Sequence, residues 1–198
     1  MDLEQHIREH FESSASTALE TSVAIAAEIL QTARRVVATH EQQGKILICG
    51  NGGSAADAQH FSAELLCRYQ RERPPLAAIA LSADTATITA TANDYAFEQI
   101  FSRQIHGLAR PGDLLIALTT SGNSPNILEA VKMAADKGLD TVALTGCDGG
   151  DLAGLLGERD IELRIPSDST ARIQEAHAII IHSICDLIDL HMTGEFRL

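Results

Sequence analysis

Five short apolar runs punctuate this chain: KILICG (45–50), LAAIAL (76–81), DLLIALTT (113–120), DTVALTG (140–146) and IELRIP (161–166). Each is aliphatic, too short for a stable helix and bounded by turn-forming residues, so each reads as a strand. Stretches of helical character separate most of them, over 53–70, roughly 84–108, 124–138 and near 150–157. Strands that alternate with helices pair in parallel, and a parallel strand that is apolar throughout is covered on both faces. The pattern predicts an α/β fold, a doubly wound five-stranded parallel sheet flanked by helices.

The remaining segments are helical. Residues 3–43 contain neither Pro nor Gly, and Leu19, Val23, Ile25, Ala26, Ile29, Leu30, Ala33 and Val36 recur at helical spacing, which predicts one long helix or two joined ones. STARIQEAHAIIIHSICDLIDLHM (169–192) is apolar around much of its circumference, so it lies under the sheet or against other subunits. A homo-oligomer built from these helices is expected. No linker or low-complexity tract interrupts the 198 residues, which predicts a single domain over 1–198, with a helical segment 1–43 ahead of an α/β core 44–192.

Charge narrows the partners. Fifteen Lys and Arg stand against 27 Asp and Glu, a net charge of −12, which repels a phosphate backbone at long range and argues against direct nucleic-acid binding. It leaves room for a small anion held locally. The aromatic fraction is 4%, with no Trp, so the core must be aliphatic. Cys49, Cys67, Cys147 and Cys185 are widely spaced, and MDLEQHIREHFESS is charged from the start, unlike a secretion signal. Reduced, mostly buried thiols in a cytoplasmic protein are expected. No apolar run approaches the ~20 residues of a membrane span, so no membrane contact is expected.

Two strand ends carry Gly/Ser turns. GNGGSA follows the first strand and TTSGNSPN ends the third. Ligands of an open parallel sheet bind at the carboxyl ends of its strands, and helix N-termini there offer unpaired N–H groups. Thr119, Thr120, Ser121 and Ser124 add four hydroxyls, with Ser124 placed as N-cap before Pro125. Neither turn holds Lys or Arg, so the cradle is neutral: suited to a phosphate monoester and poorly suited to a triphosphate with Mg²⁺. Residues 50–55 also fit the dinucleotide pattern GxGxxA, but the acid that should close the next strand is missing; Asp84 lies beyond its end.

The helix after the first turn carries Asp57, His60 and Glu64 on one face, and the last helix carries Gln174, His177 and His182 among apolar neighbours. Taken singly, His60 and Glu64 are an ordinary surface pair and His182 an ordinary core histidine. Together, a Glu and a His beside a sugar-sized site suit proton transfer next to a carbonyl. His60, Glu64, Gln174 and His182 equally offer two imidazoles, a carboxylate and an amide oxygen to a cation such as Zn²⁺. Their spacing does not choose between the two.

GNGGSAADAQHFSAEL, TANDY, TTSGNSPN, ALTGCDGGDLAGLL and ARIQEAHAIIIHSICDLID resemble the phosphoheptose isomerases of the sugar isomerase (SIS) domain superfamily, from about residue 40 to 190. The resemblance implies conversion of D-sedoheptulose 7-phosphate to D-glycero-D-manno-heptose 7-phosphate, the first step toward the ADP-heptose of lipopolysaccharide core, by a cytoplasmic homotetramer with one zinc per subunit. It implies that Asn51, Gly52, Gly53, Asn93 and Asp94 meet the sugar, together with Glu64 and Gln174, and that Thr119, Thr120, Ser121 and Ser124 hold the phosphate. His60, Glu64, Gln174 and His182 would be zinc ligands, with Glu64 as base and His182 as acid in an enediol mechanism. Thr119 stands where the family usually has Ser, and keeps the hydroxyl. The DnaA initiator-associating proteins, non-catalytic binding modules of the same fold, are also similar in ALTGCDGGDLAGLLG and CDLID. In them the Glu and the last His are typically replaced; here both remain, which favours the enzyme.

Overall fold

All five apolar runs pair in parallel in the computed structural model, which describes residues 2–198. The strands are β1 (Ile46–Gly50), β2 (Ala78–Ala80), β3 (Leu114–Leu118), β4 (Asp140–Thr145) and β5 (Ile161–Arg164), in the spatial order β2-β1-β3-β4-β5. The helices are α1 (Leu3–Glu41), α2 (Gly53–Leu66), α3 (Thr85–Asp94), α4 (Ser102–Leu108), α5 (Pro125–Asp136), α6 (Gly150–Ala153) and α7 (Thr170–Met192).

Side chains of a strand point alternately to its two faces, and this divides the core. Ile46, Ile48, Leu114, Ile116, Leu118, Val142 and Leu144 face α1, α2 and α7, where they meet Val36, Ala58, Phe61, Ile180 and Ile184. Leu47, Cys49, Leu115, Ala117 and Ala143 face α4, α5 and α6, against Phe101, Ile105, Ile127, Ala130 and Leu152. Two covered faces explain why β1 and β3 lack alternation, whereas β5 at the sheet edge alternates buried Ile161 and Leu163 with half-buried Glu162 and Arg164. The expected doubly wound sheet is present.

Several expected boundaries move. The helix expected over 84–108 is broken into α3, a 3₁₀ turn (Phe97–Gln99) and α4. Asp84 caps α3 by accepting from the Thr87 N–H at 3.0 Å, but Thr85, Thr87, Thr89 and Thr91 are β-branched, and the helix stops at Asn93–Asp94. Helix α2 ends at Leu66 and not near 70, because tertiary bonds seize the following segment, and α6 is a single turn. Helix α1 is continuous apart from a kink at Ile25 (φ −134°, ψ 20°). Of the apolar positions read along it, Ile25, Ala33 and Val36 are buried, whereas Leu19 and Val23 are 70% and 88% exposed and join Leu3, Ile7 and Phe11 as uncovered apolar residues. The second half of α1 therefore belongs to the core and the first half does not. All four cysteines are free, Cys49 and Cys185 buried and Cys67 exposed. No helix among the described residues is long and apolar enough to cross a membrane.

His177 of α7 is fully buried, with Nε2 3.2 Å from the Thr145 carbonyl oxygen and no partner for Nδ1. Burial lowers its pKa from 6.5 to about 4. The unfolded chain therefore binds a proton that the folded chain refuses, and stability falls as pH drops from about 6.5 toward 4. Urea unfolding at pH 7 and pH 4.5 should show a loss of roughly 2–3 kcal/mol from this group. In His177→Gln that increment should vanish.

Candidate active site

Winding reverses between β1 and β3, where the order runs β2-β1-β3, the switch point at which an open parallel sheet binds ligands beyond the carboxyl ends of its strands. Both Gly/Ser turns stand there. Gly52 precedes α2 at φ +54° and ψ −121°, a conformation that would strain any side-chain-bearing residue. Gly53 meets a different demand: a Cβ there would lie 2.5 Å from Gln174 Nε2, so the Gln174 amide of α7 rests directly against the turn.

The two turns are tied together. Asn51 Nδ2 donates to Asn126 Oδ1 and Asn126 Nδ2 donates to Asn51 Oδ1, each at 2.8 Å. The Asn51 side chain is thus a brace, which leaves its backbone to meet a ligand. Asn126, 1% exposed, is a residue the sequence reading passed over, since SPN reads only as a helix start.

In the second turn the four hydroxyls differ in availability. Thr119 is buried and its Oγ1 accepts from Gly122 N at 3.2 Å; Ser121 Oγ accepts from Asn123 N at 3.2 Å. Each keeps its own proton to donate. Ser124 occupies the N-cap position of α5, with Pro125 after it, yet makes no side-chain cap bond. Thr119 underpins the loop, and Ser121 and Ser124 remain able to bind an anion. The loop itself is clamped from behind by the segment after β4: Leu152 N donates to Gly122 O at 3.0 Å and Asp151 N to Asn123 Oδ1 at 2.9 Å. Because the Ser124 hydroxyl is uncommitted, Ser124→Ala should leave the thermal midpoint unchanged. Loss of one bond to a charged group should raise KM for a phosphorylated substrate roughly tenfold or more, measured by steady-state kinetics.

Helices α2 and α7 bring the acid and the imidazoles together within one protomer. His60 Nε2 and His182 Nε2 lie 2.9 Å apart across 122 residues of sequence, one ring donating and the other accepting. Tyr69 stacks on His182 with ring centroids 5.4 Å apart and planes 25° from parallel. Glu64 Oε1 is 3.7 Å from His60 Nδ1, one turn further along α2. The Cys185 thiol on α7 is pushed up by burial and then by the Glu64 charge. Nearer the turn, Asp57 has a buried Oδ2 without a partner; burial raises its carboxyl above the usual range against the opposing pull of His60.

Asn93 and Asp94 sit at the exposed end of α3, bonded to each other (Asn93 Nδ2 to Asp94 Oδ1, 2.8 Å). Among the described residues no hydrogen bond joins them to the α2–α7 pair; Asp94 lines a separate open cavity of about 400 Å³ with Tyr95 and Arg103.

No three His, Cys, Asp or Glu side chains among the described residues form a ready cluster for a metal ion. The facing Nε2 atoms of His60 and His182 are nevertheless of the right kind for a shared cation, with a carboxylate and an amide on the same two helices.

Comparison with known proteins agrees with this geometry. Residues 9–146 match the SIS domain family. The phosphoheptose isomerase of Chromohalobacter salexigens is 51% identical over 194 residues, 98% of each chain. Among solved structures, a phosphoheptose isomerase from Francisella tularensis superposes with a TM-score of 0.93 at 48% identity, covering 96% of this chain and 99% of that one. The phosphoheptose isomerase of Neisseria gonorrhoeae gives a TM-score of 0.90 at 44% identity, covering 94% and 98%. A chain so similar over its whole length, with the acid, the imidazoles and the hydroxyl-lined turn all in place, belongs to the phosphoheptose isomerases of the SIS domain family.

Proposed function

We propose that this isomerase converts D-sedoheptulose 7-phosphate to D-glycero-D-manno-heptose 7-phosphate, supplying ADP-heptose synthesis for lipopolysaccharide core in the cytoplasm. Two observations support the reading: α2 and α7 meet so that Glu64, His60 and His182 gather within one protomer, and the turn that opens α5 is neutral and lined with hydroxyls. The cradle fixes the phosphate end, and that remote binding aligns the carbonyl end. Glu64 takes a proton from C1 of the ketose, the electron pair forms an enediol, and the protonated Glu64, exchanging with solvent at this stage, gives a proton to C2. His182 moves the balancing proton from O1 to O2, and the aldose results. His60, Glu64, Gln174 and His182 would hold one zinc ion per subunit, which when bound polarises the sugar oxygens.

We also propose a homotetramer. Its support is the uncovered apolar flank of α1, with Phe11 75% exposed and Val23 88% exposed, which in water favours burial against further copies. Light scattering should give four times the 21.2 kDa of one chain.

The decisive experiment is NMR of purified protein with D-sedoheptulose 7-phosphate in D₂O. The aldose should form, carrying deuterium at C2. Absence of both product and exchange, together with a stable complex with the replication initiator protein, would install the binding-module reading instead.

A further inference from the structure

Arg73 and Asp189 form an ion pair with neither side chain exposed, Nε to Oδ1 at 2.7 Å. An apolar pair of similar volume often stabilises a core as well as or better than buried charges do. Directed bonds are what an apolar pair lacks, and here they reach both halves of the site. Arg73 Nη2 donates to the Glu64 carbonyl at 2.7 Å and Nη1 to the Leu65 carbonyl at 2.9 Å, which caps the end of α2. Asp189 stands two turns along α7 from His182, and its Oδ2 accepts from the backbone N–H groups of Gln70 and Arg71, each at 2.8 Å. The segment so pinned carries Tyr69, whose ring lies on His182.

We propose that Arg73 and Asp189 are positioning residues: their ion pair fixes the Glu64 end of α2 against α7 and delivers Tyr69 to His182. Neither touches substrate. The proposal rests on the assignment of Glu64 and His182 as base and acid.

Arg73→Lys tests it. The lysine keeps a positive charge opposite Asp189, but a single ammonium cannot span Asp189 and the carbonyls of Glu64 and Leu65 together. With the folded fraction measured by circular dichroism, kcat per folded enzyme should fall about 100-fold, the cost of a misplacement of about 1 Å. KM should stay within about threefold, since the phosphate cradle belongs to other elements. A crystal structure of the variant should show the Glu64, Tyr69 and His182 side chains displaced. An unchanged kcat per folded enzyme overturns the proposal, and so does a variant structure with those three side chains in place. Should Arg73→Lys fail to fold, Asp189→Asn, which retains an oxygen for Gln70 and Arg71, is read in the same two ways. If the wild-type enzyme proves inactive on the heptose phosphate, the functional assignment fails while the crystallographic arm still decides the positioning role.

Discussion

Glu64→Gln is expected to lower kcat by about 10²–10⁴-fold, the usual contribution of a positioned general base. The replacement keeps the size and shape of the side chain and removes its charge and basicity. The fold should tolerate it, because among the described residues the Glu64 carboxylate is engaged only by the 3.7 Å contact with His60, too long for a hydrogen bond and to a ring that is 41% exposed. KM should move little, since the hydroxyls proposed to anchor phosphate lie on the β3–α5 turn and not on α2. Steady-state kinetics with a thermal melt separates the effects. Deuterium exchange at C1 in D₂O reports proton removal directly, and exchange at the wild-type rate would take the base role away from Glu64.

Gly122→Ala should be the most damaging single methyl in the phosphate cradle. Gly122 sits at φ +70°, and a Cβ would run into the Gly149 carbonyl oxygen. Strain and overlap together should cost roughly 2–4 kcal/mol, or about 5–15 °C in thermal midpoint. The overlap also pushes the turn off the segment that clamps it, so KM for the sugar phosphate should rise more than about tenfold. Gly138→Ala is the control. Gly138 has a similar φ of +74°, but nothing lies within 4 Å of its Cβ position, and it precedes β4 at the opposite end of the sheet. That variant should lose stability without changing KM; a matching rise in KM would mean that Gly122 acts through strain alone.

The sheet and its helices are written locally, and so were legible. The central strands β1 and β3 are continuous aliphatic runs, and each Gly/Ser turn declares a strand end. Helix ends set by distant partners were not: α2 stops at Leu66 because Arg73 takes the carbonyls of Glu64 and Leu65 while Asp189 takes the next amides, and no Gly or Pro marks the place before Pro74. The exposure of Leu19 and Val23 was hidden for a related reason, since periodicity reports which residues share a face and not what covers it. In the site, His60 and Glu64 could be paired by spacing on one helix. Their meeting with His182 depends on how α2 and α7 pack, and only the family resemblance anticipated it. Asn126 and Arg73 escaped notice because ordinary side chains become braces only through tertiary partners.

The reciprocal amides of Asn51 and Asn126 have a consequence for selectivity. Two mutual bonds at 2.8 Å, one partner wholly enclosed, turn a pair of separate loops into the fixed jaws of a caliper. The spacing of the two turns is then preset before any ligand arrives, so a sugar phosphate that reaches both is expected to be read by its length. A pentose phosphate, being shorter, should then show a lower kcat/KM than the heptose phosphate in steady-state kinetics, without any flap having to shut on it.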